Sequence, residues 1–140
     1  MRRLLATVVL ATLVACGGDA TGVKNPTFPA VAGVYAIDGS FSGAVPFTGT
    51  ISFSQASREQ PALTGTANIT VTLDTEVLTF TTISNASVSA AGLIGFNIGE
   101  SGGPSSWRFQ GTLSGGTITG THTITDGTDS VSGTFTATKQ

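Results

Sequence analysis

The chain is poor in the residues that usually carry chemistry, with one cysteine and one histidine in 140 residues. Structural and catalytic zinc sites draw several ligands from Cys and His, so Cys16 and His122 cannot supply the usual set. Nucleophilic catalysis needs a nucleophile, a base and a group that orients the base, and the sequence shows no such Ser, His and Asp grouping. We therefore expect a protein that is not an enzyme and that holds no metal and no cofactor.

Charge is also scarce, because only 10% of the residues are charged and the formal net charge is −2. Without a basic cluster to neutralise phosphates, a nucleic acid is not expected as a partner. The polar residues are instead 24 Thr, 14 Ser and 19 Gly. Thr favours strands, whereas Gly and Ser favour turns, so the composition predicts an all-β fold.

The N-terminus has the layout of a secretory signal. Arg2 and Arg3 precede an uncharged apolar run over residues 4–14, which is short for a membrane span. The run ends in Leu13-Val14-Ala15-Cys16, which resembles the lipobox of bacterial lipoproteins. The resemblance implies cleavage before Cys16, acylation of that cysteine, and a lipid anchor in the cell envelope. Gly17, rather than Asp, follows the cysteine, which in this family implies the outer membrane. An ordinary signal peptide with an incidental cysteine is the alternative.

Three segments follow from this interpretation. Residues 1–15 are the signal peptide, residues 16–29 are the lipidated cysteine and a flexible tether, and residues 30–140 are the folded domain. The tether is rich in Gly and Pro and has little apolar content, and a flexible chain of that length reaches roughly 20 Å. The alternative, in which this segment packs on the domain as a strand, conflicts with its prolines, which cannot donate to a ladder.

From residue 31 onward apolar and polar residues alternate with a period of two, which is typical of strands with one buried face. Turn signals separate the runs, for example Asp38-Gly39-Ser40 and Ser114-Gly115-Gly116. The pattern predicts about eight strands, near 31–37, 43–54, 62–73, 76–83, 92–98, 105–113, 117–125 and 130–138. Residues 84–91 fit either a loop or a further short strand.

A short repeat, consisting of a large residue, any residue, Gly and Thr, recurs five times and begins at Phe47, Leu63, Phe109, Ile118 and Val131. Each Gly lies two residues after the large side chain, so it falls on the same, inward face. Glycine at such positions marks bends or close backbone approaches, and closure would remove sheet edges that carry few charges. We predict a small antiparallel up-and-down β-barrel, with a β-sandwich as the alternative.

The size, the meander and Gly33-Val34-Tyr35 near the first strand resemble lipocalin-like and avidin-like barrels. A barrel of this size is either just filled by side chains or holds one small ligand. The side chains that would line such a cavity are Tyr35, Trp107, Phe109 and His122. Core packing is the alternative role for the aromatic residues, and an inward, hydrogen-bonded histidine is the expected role for His122.

The functional hypothesis is a lipid-anchored cell-envelope protein that serves as a structural or interaction module, with another envelope protein as its partner. The alternative is a carrier for a small apolar ligand inside the barrel. An interior of about 300 Å³ or more, lined by Trp107, Phe109 and other Phe side chains, would favour the carrier, and a filled interior with an exposed apolar patch would favour the module. A transmembrane barrel is disfavoured, because its aromatic girdles cannot be built from one Trp and one Tyr.

Overall fold

The computed structural model describes residues 24–42, 44–73, 76–100, 106–126 and 128–140. They form eight strands: β1 (Gly33–Phe41), β2 (Val45–Ser54), β3 (Thr64–Leu73), β4 (Glu76–Val88), β5 (Leu93–Glu100), β6 (Ser106–Ser114), β7 (Thr117–Asp126) and β8 (Asp129–Lys139). Each strand pairs antiparallel with the next, and β8 pairs with β1, from Tyr35 opposite Lys139 to Phe41 opposite Gly133. The predicted eight-stranded antiparallel barrel is confirmed, and the alternative sandwich is not formed.

The interior is filled according to the predicted alternation. On β2, for example, Phe47, Ile51 and Phe53 are buried, while Thr48 and Ser54 between and beside them are exposed. The same order on the other strands leaves Thr and Ser on much of the described outer surface. Transmembrane barrels present apolar side chains outward, so the described surface has the opposite pattern.

Strand β4 is longer than predicted, because the segment whose structure was left open continues it to Val88. The pairing of β4 with β5 shifts register between Ser84 and Ser87, and Asn85 between them has a positive φ of 51°. Asn tolerates this left-handed conformation better than most residues, and an irregularity of this kind bends a strand. The bend allows one strand to follow the curvature of a small barrel.

The repeated glycines face inward and allow close approach of neighbouring strands. Gly111 on β6 lies directly opposite Gly120 on β7. A Cβ atom added at Gly120 would lie 2.5 Å from the Cα atom of Gly111, which is closer than real side chains come. The predicted role of these glycines as points of close backbone approach is therefore seen at this pair.

The N-terminal segment covers one end of the barrel. The Phe28 amide donates to the Arg58 carbonyl at 2.7 Å, and Nε of Arg58 donates to the Phe28 carbonyl at 2.9 Å. Val31 is fully buried, and its amide donates to Oε1 of Gln55 at 3.1 Å. We call this the closed end, and the opposite end, where β1 finishes and β2 begins, the open end.

The predicted flexible tether is only partly among the described residues. Its residues 24–29 are described, and Phe28 there packs against the core and bonds to Arg58. Residues 16–23, with Cys16, lie outside the described part of the chain, as does the signal peptide. The lipid anchor and the boundaries of the signal peptide and tether therefore stay predictions.

Candidate functional site

Three of the four residues predicted to line a cavity lie together in the interior. Trp107 and Phe109 on β6 and His122 on β7 are buried, and their ring centroids lie 4.8 to 5.5 Å apart. Their proximity follows from the pairing of β6 with β7, in which Phe109 lies opposite His122. Tyr35, the fourth residue, lies near the closed end and contacts Phe53 instead, with ring centroids 6.0 Å apart.

Trp107 is the centre of an aromatic cluster in the half of the barrel near the open end. It stacks on Phe41 at 4.9 Å and packs edge to face with Phe47 at 4.7 Å and Phe80 at 5.1 Å. Aromatic pairs in these geometries are favourable by about 0.5–1.5 kcal/mol beyond their burial. The cluster fills the centre of the barrel and therefore leaves room for a ligand only beyond it.

The single histidine bridges three strands through two hydrogen bonds. Nε1 of Trp107 donates to Nδ1 of His122 at 3.0 Å, and Nε2 of His122 lies 3.1 Å from the carbonyl oxygen of Ser40 on β1. An indole nitrogen can only donate, so Nδ1 must carry a lone pair and Nε2 must carry the proton. The partners thus assign the neutral Nε2–H tautomer. We call this arrangement the His122 bridge.

Glycine makes room for the His122 bridge. Gly133 on β8 lies opposite His122 on one side and opposite Phe41 on the other. The imidazole therefore crosses Gly133 to reach β1, and a Cβ atom at Gly133 would lie 2.7 Å from Nε2 of His122. Gly133, the glycine of the last repeat, is thus required both by the His122 side chain and by the close approach of the Ser40 backbone.

Burial lowers the pKa of His122 below its ordinary value of about 6.5, and the hydrogen bond to the Ser40 carbonyl opposes this shift without cancelling it. Apart from the polar atoms of Tyr35 and Trp107, His122 is the only buried polar side chain among the described residues. It is surrounded by Phe41, Phe47 and Phe109, whose ring centroids lie 4.8 to 5.5 Å from its own. The neutral imidazole is therefore the form that suits this environment.

Tyr35 has a structural position at the closed end. Its hydroxyl donates to the Val31 carbonyl at 2.7 Å, and its side chain is fully buried. Burial raises the pKa of this phenol above its ordinary value. Nζ of Lys139 lies 5.9 Å from the Tyr35 ring centroid and donates to the Ala32 carbonyl at 2.6 Å. These contacts hold the N-terminal segment over the closed end.

The open end contains a pocket of about 290 Å³, which we call the open-end pocket. Its walls are almost wholly apolar and consist of Phe41, Ser42, Ala44, Val45, Val71, Leu78, Phe80, Ile124 and Val131. Phe41 and Phe80 also contact Trp107, so the aromatic cluster lies directly beneath the pocket. Such a site can hold a small apolar molecule by hydrophobic contact and offers no catalytic group among these residues.

None of the four residues predicted to line a cavity belongs to the open-end pocket. Of its lining residues, Val131, which begins one of the five repeats, was predicted to face inward. Phe41 lies outside the predicted strands, because Asp38-Gly39-Ser40 was predicted as a turn; that prediction is wrong, since these residues lie within β1 and pair with β2 and β8. Val131 was expected on a buried face and is 41% exposed, because it lies at the mouth of the barrel.

A wider groove of about 1080 Å³ runs along the outer surface of β4 to β7. It is broadly open to solvent, and its lining mixes apolar side chains such as Leu93 with polar ones such as Asn97 and Arg108. A shallow surface of this kind leaves much of a bound ligand in contact with water. The smaller open-end pocket is therefore the better candidate site.

Two absences apply to the described residues only. No group of three or more His, Cys, Asp or Glu side chains there is placed to hold a metal ion. No helix there has the length and apolar character needed to cross a membrane.

No known protein family matches the chain, and no curated protein matches it. Its fold is similar to that of EF1p2_mFAP2b bound to DFHBI, with a TM-score of 0.62 and 15% identity over 79% of this chain and 94% of that one. A redesigned β-barrel gives a TM-score of 0.58 at 16% identity, covering 79% of this chain and 91% of that one. A de novo designed fluorescence-activating β-barrel gives 0.55 at 13% identity, covering 78% and 93%. At these identities the likeness shows the fold: a small eight-stranded antiparallel barrel.

Proposed function

We propose that this protein is a lipid-anchored, non-catalytic protein of the bacterial cell envelope that binds a small apolar molecule in its open-end pocket. The observation that carries the proposal is the pocket itself, about 290 Å³ in volume and almost free of polar atoms. This volume lies at the lower limit of ligand sites, so the ligand is smaller than a typical drug and has one ring or a short alkyl chain.

The position of the pocket supports binding. Folding has buried the apolar side chains of the interior, yet Val45, Leu78 and Val131 still expose apolar surface on the walls of a cavity that opens to solvent. Apolar surface exposed in this way is unfavourable in water by roughly 25 cal/mol per Å². A ligand that covers it recovers that free energy. EF1p2_mFAP2b, which has a similar fold, is bound to DFHBI in its structure.

The anchor in this proposal comes from the sequence. A lipobox-like Leu13-Val14-Ala15-Cys16 follows the apolar run, and acylation at Cys16 would hold the barrel at the membrane through residues 17–23. Globomycin, an inhibitor of signal peptidase II, tests this part. Accumulation of the uncut precursor is expected, and processing that is indifferent to both globomycin and Cys16→Ala would contradict the anchor.

Native mass spectrometry tests the binding proposal. The protein purified from its own cells should carry an extra mass that organic extraction removes. Val131→Phe, which narrows the pocket, should abolish that mass. Val34→Phe is a matched control, because Val34 is 44% exposed, against 41% for Val131, but does not line the pocket. A bare mass for the wild type, unchanged after incubation with small apolar compounds, would contradict the carrier function.

A second candidate function is an interaction module for another envelope protein. The filled barrel interior and the exposed Val77, which is 61% exposed near the start of β4, favour it. In that case an apolar side chain of the partner would occupy the pocket. Photo-crosslinking from position 77 would then capture one defined envelope protein, whereas a carrier would give an extractable small molecule and no such product.

A further inference from the structure

We propose that the His122 bridge is a proton-sensitive support for the open-end pocket, so that protonation of His122 weakens ligand binding. This inference rests on the proposed function, because it concerns the regulation of the same pocket. His122 is a positioning residue here, since it does not line the pocket itself.

The His122 bridge depends on a free lone pair at Nδ1 of the imidazole. The lone pair on Nδ1 of His122 accepts the hydrogen of Trp107 Nε1 at 3.0 Å. A proton taken up from solvent can bind only at Nδ1, because Nε2 already carries one. The imidazolium would then point an N–H group at another N–H group. The hydrogen bond must break, and the indole nitrogen of Trp107 would be left buried without an acceptor.

No described charge is placed to stabilise the imidazolium. The charged side chains on the neighbouring strands are Asp38 on β1, Arg108 on β6 and Asp129 and Lys139 on β8, and all four are exposed on the outer surface. The groups that face His122 are the rings of Phe41, Phe47, Phe109 and Trp107. Their π faces offset only part of the cost of burying a charge. The protonated state therefore favours a rearranged cluster.

The bridge is connected to the pocket through Trp107 and through Ser40. Trp107 stacks on Phe41 and packs against Phe80, and both of these rings are pocket walls. The other half of the bridge holds the carbonyl of Ser40, the residue before Phe41. A shift of Trp107 or of the end of β1 thus displaces two walls at once. Because close packing makes the fit of a small apolar ligand sensitive to such shifts, the pocket loses affinity.

The chain is well suited to the test, because His122 and Trp107 are its only histidine and only tryptophan. The full chain, held in lipid nanodiscs, is titrated with iodobenzene, a small apolar probe whose iodine quenches Trp107 fluorescence. The apparent Kd is measured at about pH 7.5 and at lower pH. Linkage predicts a loss of affinity of up to about tenfold for each pH unit between the pKa of His122 in the ligand-free state and its lower pKa in the complex.

The matched variant is His122→Gln, whose amide can accept from Trp107 and donate to Ser40 but does not titrate in this range. Its iodobenzene affinity is expected to be independent of pH. Linkage is reciprocal, so iodobenzene should also move the NMR titration midpoint of the wild-type imidazole to lower pH.

The outcomes separate the two proposals. Absence of quenching at every pH, with Val131→Phe identical to wild type, would overturn the proposed function together with this inference. Saturable quenching with the same pH dependence in wild type and His122→Gln would leave the proposed function intact and overturn the role of His122. An imidazole whose midpoint is unaffected by saturating iodobenzene would do the same.

Discussion

The two ends of the barrel are built from the same alternating strands but differ in how completely their apolar side chains are buried. At the closed end Val31 and Tyr35 are fully buried and joined by a hydrogen bond, and Phe28 is bonded to Arg58. At the open end Val45, Leu78 and Ile124 are only partly buried and surround a pocket. The apolar residues at the closed end are thus buried by folding, whereas those at the open end remain partly exposed on the walls of the pocket. The proposed binding of a small apolar ligand at the open end rests on this difference.

The largest expected difference in the free energy of unfolding is between substitutions in the filled interior and substitutions at the open end. Phe96 stacks on Phe109 at 4.9 Å and packs edge to face with Phe53 at 5.2 Å. Phe96→Ala should therefore lower the free energy of unfolding by about 3–5 kcal/mol. Leu78→Ala enlarges a pocket that is already open and should cost about 1 kcal/mol. Urea denaturation measures both values, and equal losses would show that the open end is packed as part of the core.

A smaller difference in stability loss is expected between substitutions at the closed end and at the open end. Tyr35→Phe removes the donor to the buried Val31 carbonyl and should cost about 1–2 kcal/mol. Val131→Thr changes a partly exposed wall of similar shape and should alter stability by no more than about 0.5 kcal/mol. Thermal unfolding would detect the difference. A loss at Val131 that matches the loss at Tyr35 would contradict the assignment of the closed end as the structural one.

The smallest effect is on the pH dependence of stability, and its sign differs between the two ends. Burial lowers the pKa of His122, so an unfolded chain binds a proton first as the pH falls below about 6.5, and stability is lost on the acid side. Burial raises the pKa of Tyr35, so the unfolded chain loses its proton first above about pH 10, and stability is lost on the alkaline side.

Two variants separate these contributions from other titrations. His122→Gln should remove the loss between about pH 6.5 and pH 5, above the range where carboxylates titrate. Tyr35→Phe should remove part of the loss above pH 10. Urea midpoints measured across the range provide the comparison. An acid limb that is identical in wild type and His122→Gln would mean that His122 titrates alike in the folded and unfolded chains.

The sequence could predict the fold because strand periodicity is a local property. The alternation at Phe47, Ile51 and Phe53 depends only on neighbouring residues, and so does the turn at Gly115 and Gly116. The bulged end of β4 was harder to predict, because the positive φ of Asn85 occurs where the pairing of β4 with β5 shifts register. A single chain segment gives no sign of such tertiary pairing.

The site was less accessible to sequence reasoning, because it depends on distant partners. The Ser40 carbonyl is 82 residues from His122, and the two meet only because Gly133 on the strand between them has no side chain. Which end stays open depends on where the N-terminal segment packs, and a tether interpretation of residues 16–29 did not foresee the contacts of Phe28. Of the residues predicted as cavity walls, Trp107, Phe109 and His122 belong to the cluster beneath the pocket, and Tyr35 lies at the closed end.

The most direct test of the central claim is a crystal structure of the protein soaked with iodobenzene, with the iodine located by its anomalous scattering. The account predicts one strong iodine peak in contact with Phe41 and Phe80 at the open end, absent from Val131→Phe crystals and present in Val34→Phe crystals. An iodine peak at the closed end or only in the outer groove of β4 to β7, or no peak at all, would contradict it.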